Sequence, residues 1–388
     1  MVSIDRGPLE AKVRAYYDAR KSDEDVTAIC PVLMTDASEF DAKTTRRTLL
    51  AKSRFMPENL VRVAYRPFDD RWLYWEGLTH LLNRPRPDYF AQVWESNRFL
   101  VTYLKQHRGE TWDELLVCTN LVDYHCFHPN TCPFPLYLRR TEFGRLVETP
   151  NVSDSILSAL CAKWGVALHS DGELTDQARA IAEDLFYHAV AILQSPAYRA
   201  ENAGDLRQNW PRLPIPQERE LLAASAALGR QVADLLQSEV PVPRVTTGAV
   251  KPEFACLGVP RRIDNKPFCE ADLAVTIRYS GTGRWERRAY REGETPDARA
   301  LTPLGNSTGD LWWNDVVCWA NVPEAVWGFT IGGYPVLKKW LTYRHESALG
   351  RPLSLEEVNH LTAVIRRVAA VLLLGPALDH NFRQAVAR

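Results

Sequence analysis

Three groups of side chains in this sequence have the types and spacing to do chemistry. Between Ile277 and Arg291 lie Arg278, Arg284, Arg287, Arg288 and Arg291 against a single acid, Glu286. Alternate residues of a strand share a face, so on a two-stranded ribbon Arg278 and part of the 284–291 set would project together. A ribbon of that kind fits the major groove of DNA, where arginine pairs with guanine O6 and N7. A solvated edge strand guarded by charge has the same pattern. Arg261, Arg262, Asn265 and Lys266 form a second group, whose amide could read adenine. Asp264-Asn265 is equally ordinary turn chemistry. In the third group Lys338, Lys339 and Arg344 are interleaved with Tyr334 and Trp340. Those cations would hold phosphate while the aromatics pack inward, Trp340 being read as core.

Other chemistries find less support. Cys118, His125, Cys126, His128 and Cys132 are ligands that zinc accepts. They lack a C-x-x-C knuckle, and Pro129 and Pro133 point to an irregular loop of buried cysteines and surface histidines, so no metal is expected. The sequence contains no G-x-S-x-G and no G-x-x-x-x-G-K-[ST]. The Asn-Pro-Pro-aromatic tetrapeptide of amino-methyltransferases is missing as well. Catalytic residues are therefore not assigned.

Bulk properties set the outer limits. The chain has 388 residues, 46% hydrophobic and 24% charged, enough to bury the cores of two or three domains. A net charge of −1 argues against a polycationic nucleic-acid coat, although most of the 47 basic residues are arginine. Arginine suits bidentate contacts with phosphate and guanine. Eight cysteines without regular spacing read as reduced thiols. No stretch reads as a signal peptide or as the roughly 20 apolar residues of a membrane span. A cytoplasmic location is expected.

The elements that must position these groups point to an α+β, multi-domain fold, with short mixed strands, amphipathic helices and a C-terminal helix. A helix is expected near residues 7–21. Strands are expected around Val61–Tyr65, Trp72–Trp75, Phe99–Leu104, Leu115–Cys118 and Phe134–Leu138. A linker-like patch at 148–155 precedes a helix capped by Thr175 or Asp176, with Ile181, Leu185, Ala189, Ile192 and Leu193 on one stripe. Ser195-Pro196 should stop it. Pro211, Pro214 and Pro216 make an extended strap before a second helix near Glu218–Leu236, and Pro241 and Pro243 mark a boundary. Ala274–Ser280 and Trp285–Tyr290 flank Gly281-Thr-Gly283 as an expected hairpin. Ser354 and Glu357 form a capping box for a closing helix with Val358, Leu361, Ile365, Val368 and Leu372 on one face. The resulting division is 1–150, 151–243 and 244–388.

Several phrases occur in an order that resembles the C-terminal part of the Type ISP restriction–modification enzymes and their Type IIL relatives. They are YRPFD at 65–69 with RWLYW at 71–75, NRPRPDYF at 83–90, FPLYL at 134–138, LFYHAVAILQSPAYR at 185–199 with PRLPIP at 211–216, VWGFTIGGYPVLKKWLTYR at 326–344, and RPLS at 351–354. The resemblance implies a helical coupler, at 151–243, feeding a target-recognition region at 244–388 that binds double-stranded DNA at one short, asymmetric site. In such enzymes a nuclease, a helicase-like motor and an adenine-N6 methyltransferase lie upstream. S-adenosylmethionine, ATP and Mg²⁺ belong to those parts, so no cofactor is expected in this chain. It would be a piece of such an enzyme or a split-gene subunit working with a methyltransferase or motor partner. The alternatives are a docking module for those partners, favoured by near-neutral charge and abundant Trp and Pro, and a free-standing enzyme using the His/Cys loop as a zinc site.

Overall fold

The computed structural model describes residues 2–37, 39–83, 85–103, 112–127, 131–279, 283–294 and 303–387. The chain divides into two compact units, the first built from Met1–Arg98, Thr119–Cys126 and Tyr137–Thr149, the second from Phe99–Cys118, Phe127–Leu136 and Pro150–Arg388.

In the first unit a four-stranded sheet runs in the order Val2–Ser3, Asp69–Tyr74, Leu60–Arg66, Leu121–Val122. Pro67 ends the strand that Val61, Val63 and Tyr65 mark, and Phe68 turns the chain with a φ of 58°. The helix Arg6–Tyr16 lays Leu9 and Val13 on Leu60 and Tyr74, forming one core. Arg46 is buried and donates to the carbonyls of Tyr16, Asp18 and Lys21 while pairing with Asp23 at 2.7 Å. The Asp69–Arg71 pair, 2.7 Å apart and buried, is a structural clamp. Tyr137–Glu142 and Arg145–Pro150 form a separate hairpin. The first three residues of the patch expected to be a linker, Glu148 to Pro150, therefore belong to that hairpin.

The second unit is organised by three helices: α1 (Asp176–Gln194), α2 (Arg219–Leu236) and α3 (Leu355–Val386). The Thr175 hydroxyl accepts from the Ala178 N–H and starts α1. Ser195 ends α1 and caps the next helix, Pro196–Glu201, where Asp379 of α3 accepts from both the Ser195 hydroxyl and the Ala197 N–H. The helices α1 and α2 approach so closely at Gly229 that a Cβ there would lie 1.8 Å from the Tyr187 carbonyl oxygen. His188, buried on α1, bonds the Ser225 hydroxyl at 2.7 Å and the Pro214 carbonyl at 2.7 Å, and Tyr198 donates to the Arg212 carbonyl. The proline strap is thus held through its carbonyls, which accept from His188 and Tyr198, since its prolines have no N–H to donate. Close by on the chain, Arg199 grips Glu114 through both carboxylate oxygens, at 2.6 and 2.5 Å.

Ser354 and Glu357 make the expected reciprocal cap at the start of α3. Contrary to expectation, α3 is long and apolar enough to pass as a membrane span, but 61% of its apolar window is buried inside the protein. It is a core helix. Arg367, only 2% exposed, donates from α3 to the carbonyls of Asp234, Leu235, Ser238 and Val240, where α2 ends. Those carbonyls have no intrahelical partner, so a buried cation at the negative helix end satisfies both hydrogen bonding and field. Burial pushes the guanidinium down to about 10.

Beside α3 lies a four-stranded antiparallel sheet of β1 (Val259–Arg262), β2 (Trp285–Arg288), β3 (Thr308–Trp312) and β4 (Val317–Pro323), in the order β1-β4-β3-β2. This corrects the expected 274–290 hairpin. Trp285 pairs with Leu311 and Arg288 with Thr308. The described part of 274–279 forms no strand; the N–H groups of Thr276 and Ile277 both point to the Trp313 carbonyl. Residues 280–282 of the expected turn lie outside the described residues.

Candidate nucleic-acid interface

Strand alternation gives the sheet two chemically distinct faces. Leu311, Val317, Trp319 and Val322 are fully buried, and the Trp319 indole donates to the Val358 carbonyl of α3. On the opposite face β3 presents Asp310 and Trp312, β2 presents Glu286 and Arg288, and β1 presents Arg261 beside Cys318 of β4. Trp312, Cys318 and Ala320 form a small apolar patch there with Ile277. The remainder of this outer face is an open cleft of about 440 Å³ lined by Arg261, Ile263, Asn265, Glu286, Arg287, Arg288, Arg291, Asp310 and Trp312. Four arginines against two carboxylates leave its lining cationic.

Asp310 is the pivot of this cleft. Its side chain is 7% exposed and takes Arg288 at 2.8 Å, Arg261 at 3.3 Å and Arg291 at 3.6 Å. It also accepts the Asn321 N–H at 3.2 Å. Burial works against the charge, but the bonds from Arg288 and Asn321 outweigh it and hold the carboxyl below its ordinary range. Arg288 is itself burdened by burial, yet Asp310 and Glu294 keep it more firmly charged than an exposed arginine. Side-chain exposure separates the roles: Arg288 is 17% exposed, Arg261 35% and Arg291 48%. Arg288 is a strut, while Arg261 and Arg291 lean out from the same carboxylate towards solvent.

The remaining candidates fall in different places. Asn265 is exposed, lines the cleft and sits at a φ of 57°, so it is both turn residue and potential reader. Arg287 bonds Ser307 at 2.9 Å and Glu324 at 3.0 Å yet stays 63% exposed. Arg284 lies over the Trp312 ring at 4.8 Å and pairs with Glu286 and Asp315. Arg278 and Lys266 are exposed, Lys266 3.3 Å from Asp264. Arg262 is drawn off as a clamp to Asp264 and to the buried Asp272. Lys338 and Lys339 ride on the helix Val336–Thr342, where Lys339 faces the rings of Tyr334 and Tyr343, and Trp340 is core as expected. Arg344 departs from its expected phosphate role. It is 4% exposed, stacks 4.2 Å from Trp340 and faces Glu357, so its cation is used inside the fold.

Sequence reasoning missed Asp310 and Trp312. The available signal was a lone acid in an otherwise apolar GDLWW segment at 309–313, which demands buried cationic partners. At the cysteine–histidine loop, Cys118 and Cys126 are buried and His125 is exposed, while His128 lies outside the described residues. Among the described residues no three His, Cys, Asp or Glu side chains are grouped to hold a metal.

The cleft offers guanidinium and amide donors side by side on one face of a sheet. The chain belongs to the Type ISP C-terminal specificity domain family, whose profile matches residues 1–368. Its fold is similar to that of the ATP-dependent Type ISP restriction–modification enzyme LlaBIII bound to DNA, with a TM-score of 0.59 at 14% identity over 98% of this chain and 22% of that one. The DrdV–DNA complex gives a TM-score of 0.58 at 19% identity over 100% of this chain and 34% of that one. A nuclease-deletion mutant of the Type ISP enzyme LlaGI in complex with a DNA substrate mimic gives 0.51 at 15% identity, over 96% of this chain and 30% of that one. The chain thus spans between about a fifth and a third of the enzymes it resembles. No curated protein matches it in sequence.

Proposed function

We propose that this chain reads a short sequence in double-stranded DNA as the specificity module of a restriction–modification system. The observation that carries the reading is the outer face of the β1–β4 sheet, where Asp310 organises three arginines beside Asn265. Guanidinium and amide groups are the donors and acceptors that distinguish guanine and adenine in the major groove. Arg261, Arg291 and Asn265 are the base-reading candidates. Arg287, Lys266, Arg278, Arg284, Lys338 and Lys339 are suited to phosphates, which position without specifying. Family membership supports the reading, as do the DNA complexes among the similar folds.

Methyl transfer, ATP hydrolysis and cleavage, with S-adenosylmethionine, ATP and Mg²⁺, are assigned to other domains or to a partner subunit working in the cytoplasm. A selection from randomised duplex DNA at about 150 mM salt, where nonspecific attraction is screened, tests the proposal. Enrichment of one short motif containing an adenine is the expected result. Binding that shows no enrichment and disappears with salt would overturn it in favour of a docking module.

A further inference from the structure

The hairpin of the first unit ends in a residue that the fold does not use. Its strands, Tyr137–Glu142 and Arg145–Pro150, are joined by Phe143-Gly144, with φ values of 49° and 76°. Two positive φ angles in succession define a turn that asparagine and glycine fill without strain and that a bulky aromatic ring does not favour. Phe143 is 105% exposed, so no burial offsets that strain. The base of the hairpin is firmly rooted. Arg139 pairs with Glu148, stacks 3.8 Å from Trp94, and exchanges backbone hydrogen bonds with the Gln92 amide at 2.7 and 3.1 Å. A two-residue turn sets Glu142 opposite Arg145, and alternation then puts Arg140 on the same face as Arg145. Both arginines are exposed and make no ion pair among the described residues.

We propose that Phe143 is a wedge that enters a base step of duplex DNA, with Arg140 and Arg145 on the flanking phosphates. The proposal rests on the chain being a DNA binder but not on which residues read the sequence. A two-stranded ribbon fits within a DNA groove, and apolar side chains carried into a base step unstack it and kink the duplex. An aromatic ring does this without base preference, since every base offers a π face. A rooted ribbon, a strained and fully solvated ring at its tip, and unpaired cations just behind that ring all suit this insertion.

The test uses the full chain and duplexes carrying the selected motif, with 2-aminopurine at successive positions inside and beside it. Wild type should brighten the probe at one step. Phe143→Ala should abolish that rise and weaken binding about tenfold, while leaving the enriched motif unchanged. Phe143→Trp should keep the rise. Phe143→Asn, which suits the turn, should lose the rise with thermal stability equal or improved, excluding misfolding as the cause. A rise that survives Phe143→Ala, or its absence at every position in a saturated wild-type complex, would overturn the wedge and leave the tip as a protein-docking element, the sequence reader still standing. If selection enriches no motif, random duplexes at low salt carry the same test: a Phe143-dependent rise then keeps the wedge although the reader has failed.

Discussion

Replacing Asp310 should make the protein less stable and, at the same time, a tighter binder of random DNA. The stability loss follows from what the carboxylate holds. Arg261 and Arg291 are 35% and 48% exposed, so their pairs with Asp310 contribute at most about 0.5 kcal/mol each after screening. Arg288 is 17% exposed and retains Glu294 as a partner, which places the loss of its Asp310 bond at about 2 kcal/mol, below the range for isolating a buried charge. The Asn321 N–H loses its acceptor as well, at about 1 kcal/mol. Asp310→Ala should therefore cost about 3–4 kcal/mol. Asp310→Asn, which keeps an acceptor for Asn321, should cost about 2 kcal/mol. Urea titration reads both values as midpoint shifts at unchanged slope. Removing the carboxylate also adds one net positive charge to the cleft, so the plot of log affinity against log salt should steepen by up to about 0.9 for random duplex. Preference for the selected motif should fall, because Arg261 and Arg291 lose their common anchor. An Asp310→Ala variant within about 0.5 kcal/mol of wild type, or one whose salt slope and motif preference are unchanged, would refute the pivot.

Other perturbations probe the scaffold. Gly229→Ala should destabilise by about 3 kcal/mol in urea titration, the upper part of the overpacking range, because the obstacle is the Tyr187 backbone and not a movable side chain. Burial pushes the His188 imidazole below its ordinary value, so its contribution is full above about pH 6.5 and is lost as pH falls through the lowered value. His188→Gln should flatten the acid-side decline of the urea midpoint. For Glu114 burial outweighs Arg199 and raises the carboxyl to about 7, so its contribution is full below about pH 4.5 and is lost as pH rises through about 7. Glu114→Gln should flatten the decline between about pH 5 and 8, again read from the midpoint.

What could be read from the sequence divides along the range of the interactions involved. The start of α1 at Thr175, its stop at Ser195-Pro196 and the Ser354/Glu357 cap are decided within a few residues, and the structure has all three. The Val61–Tyr65 and Trp72–Trp75 strands follow from alternation and one proline. The sheet carrying the cleft does not. Trp285 finds its partner at Leu311, beyond the nearer segment at 274–279, because the inner face of the sheet must bury Leu311 and Trp319. No local pattern encodes that choice. The charge clusters were visible as composition, but their fates depend on distant acids: Asp310 and Glu294 for Arg288, Asp272 for Arg262, Glu357 for Arg344. A run of arginines reports how much positive charge is present and is silent on how much of it reaches solvent.

The alternation of the β1–β4 sheet has a consequence for how such modules diversify. Arg261 and Asp310 sit on strands whose alternate residues face the buried inner side of the sheet, yet they point to the opposite side. Exchanging Arg261, Asn265 or Arg291 removes no contact of Leu311 or Trp319, so a new preference can arise without rebuilding the core. Asp310 is the exception, because it serves both the outer face and the Asn321 backbone. A lineage drifting from one target to another would be free to vary the arginines and the amide one at a time while keeping their common acid. Libraries built to retarget this chain should likewise randomise 261, 265 and 291 and leave 310 fixed.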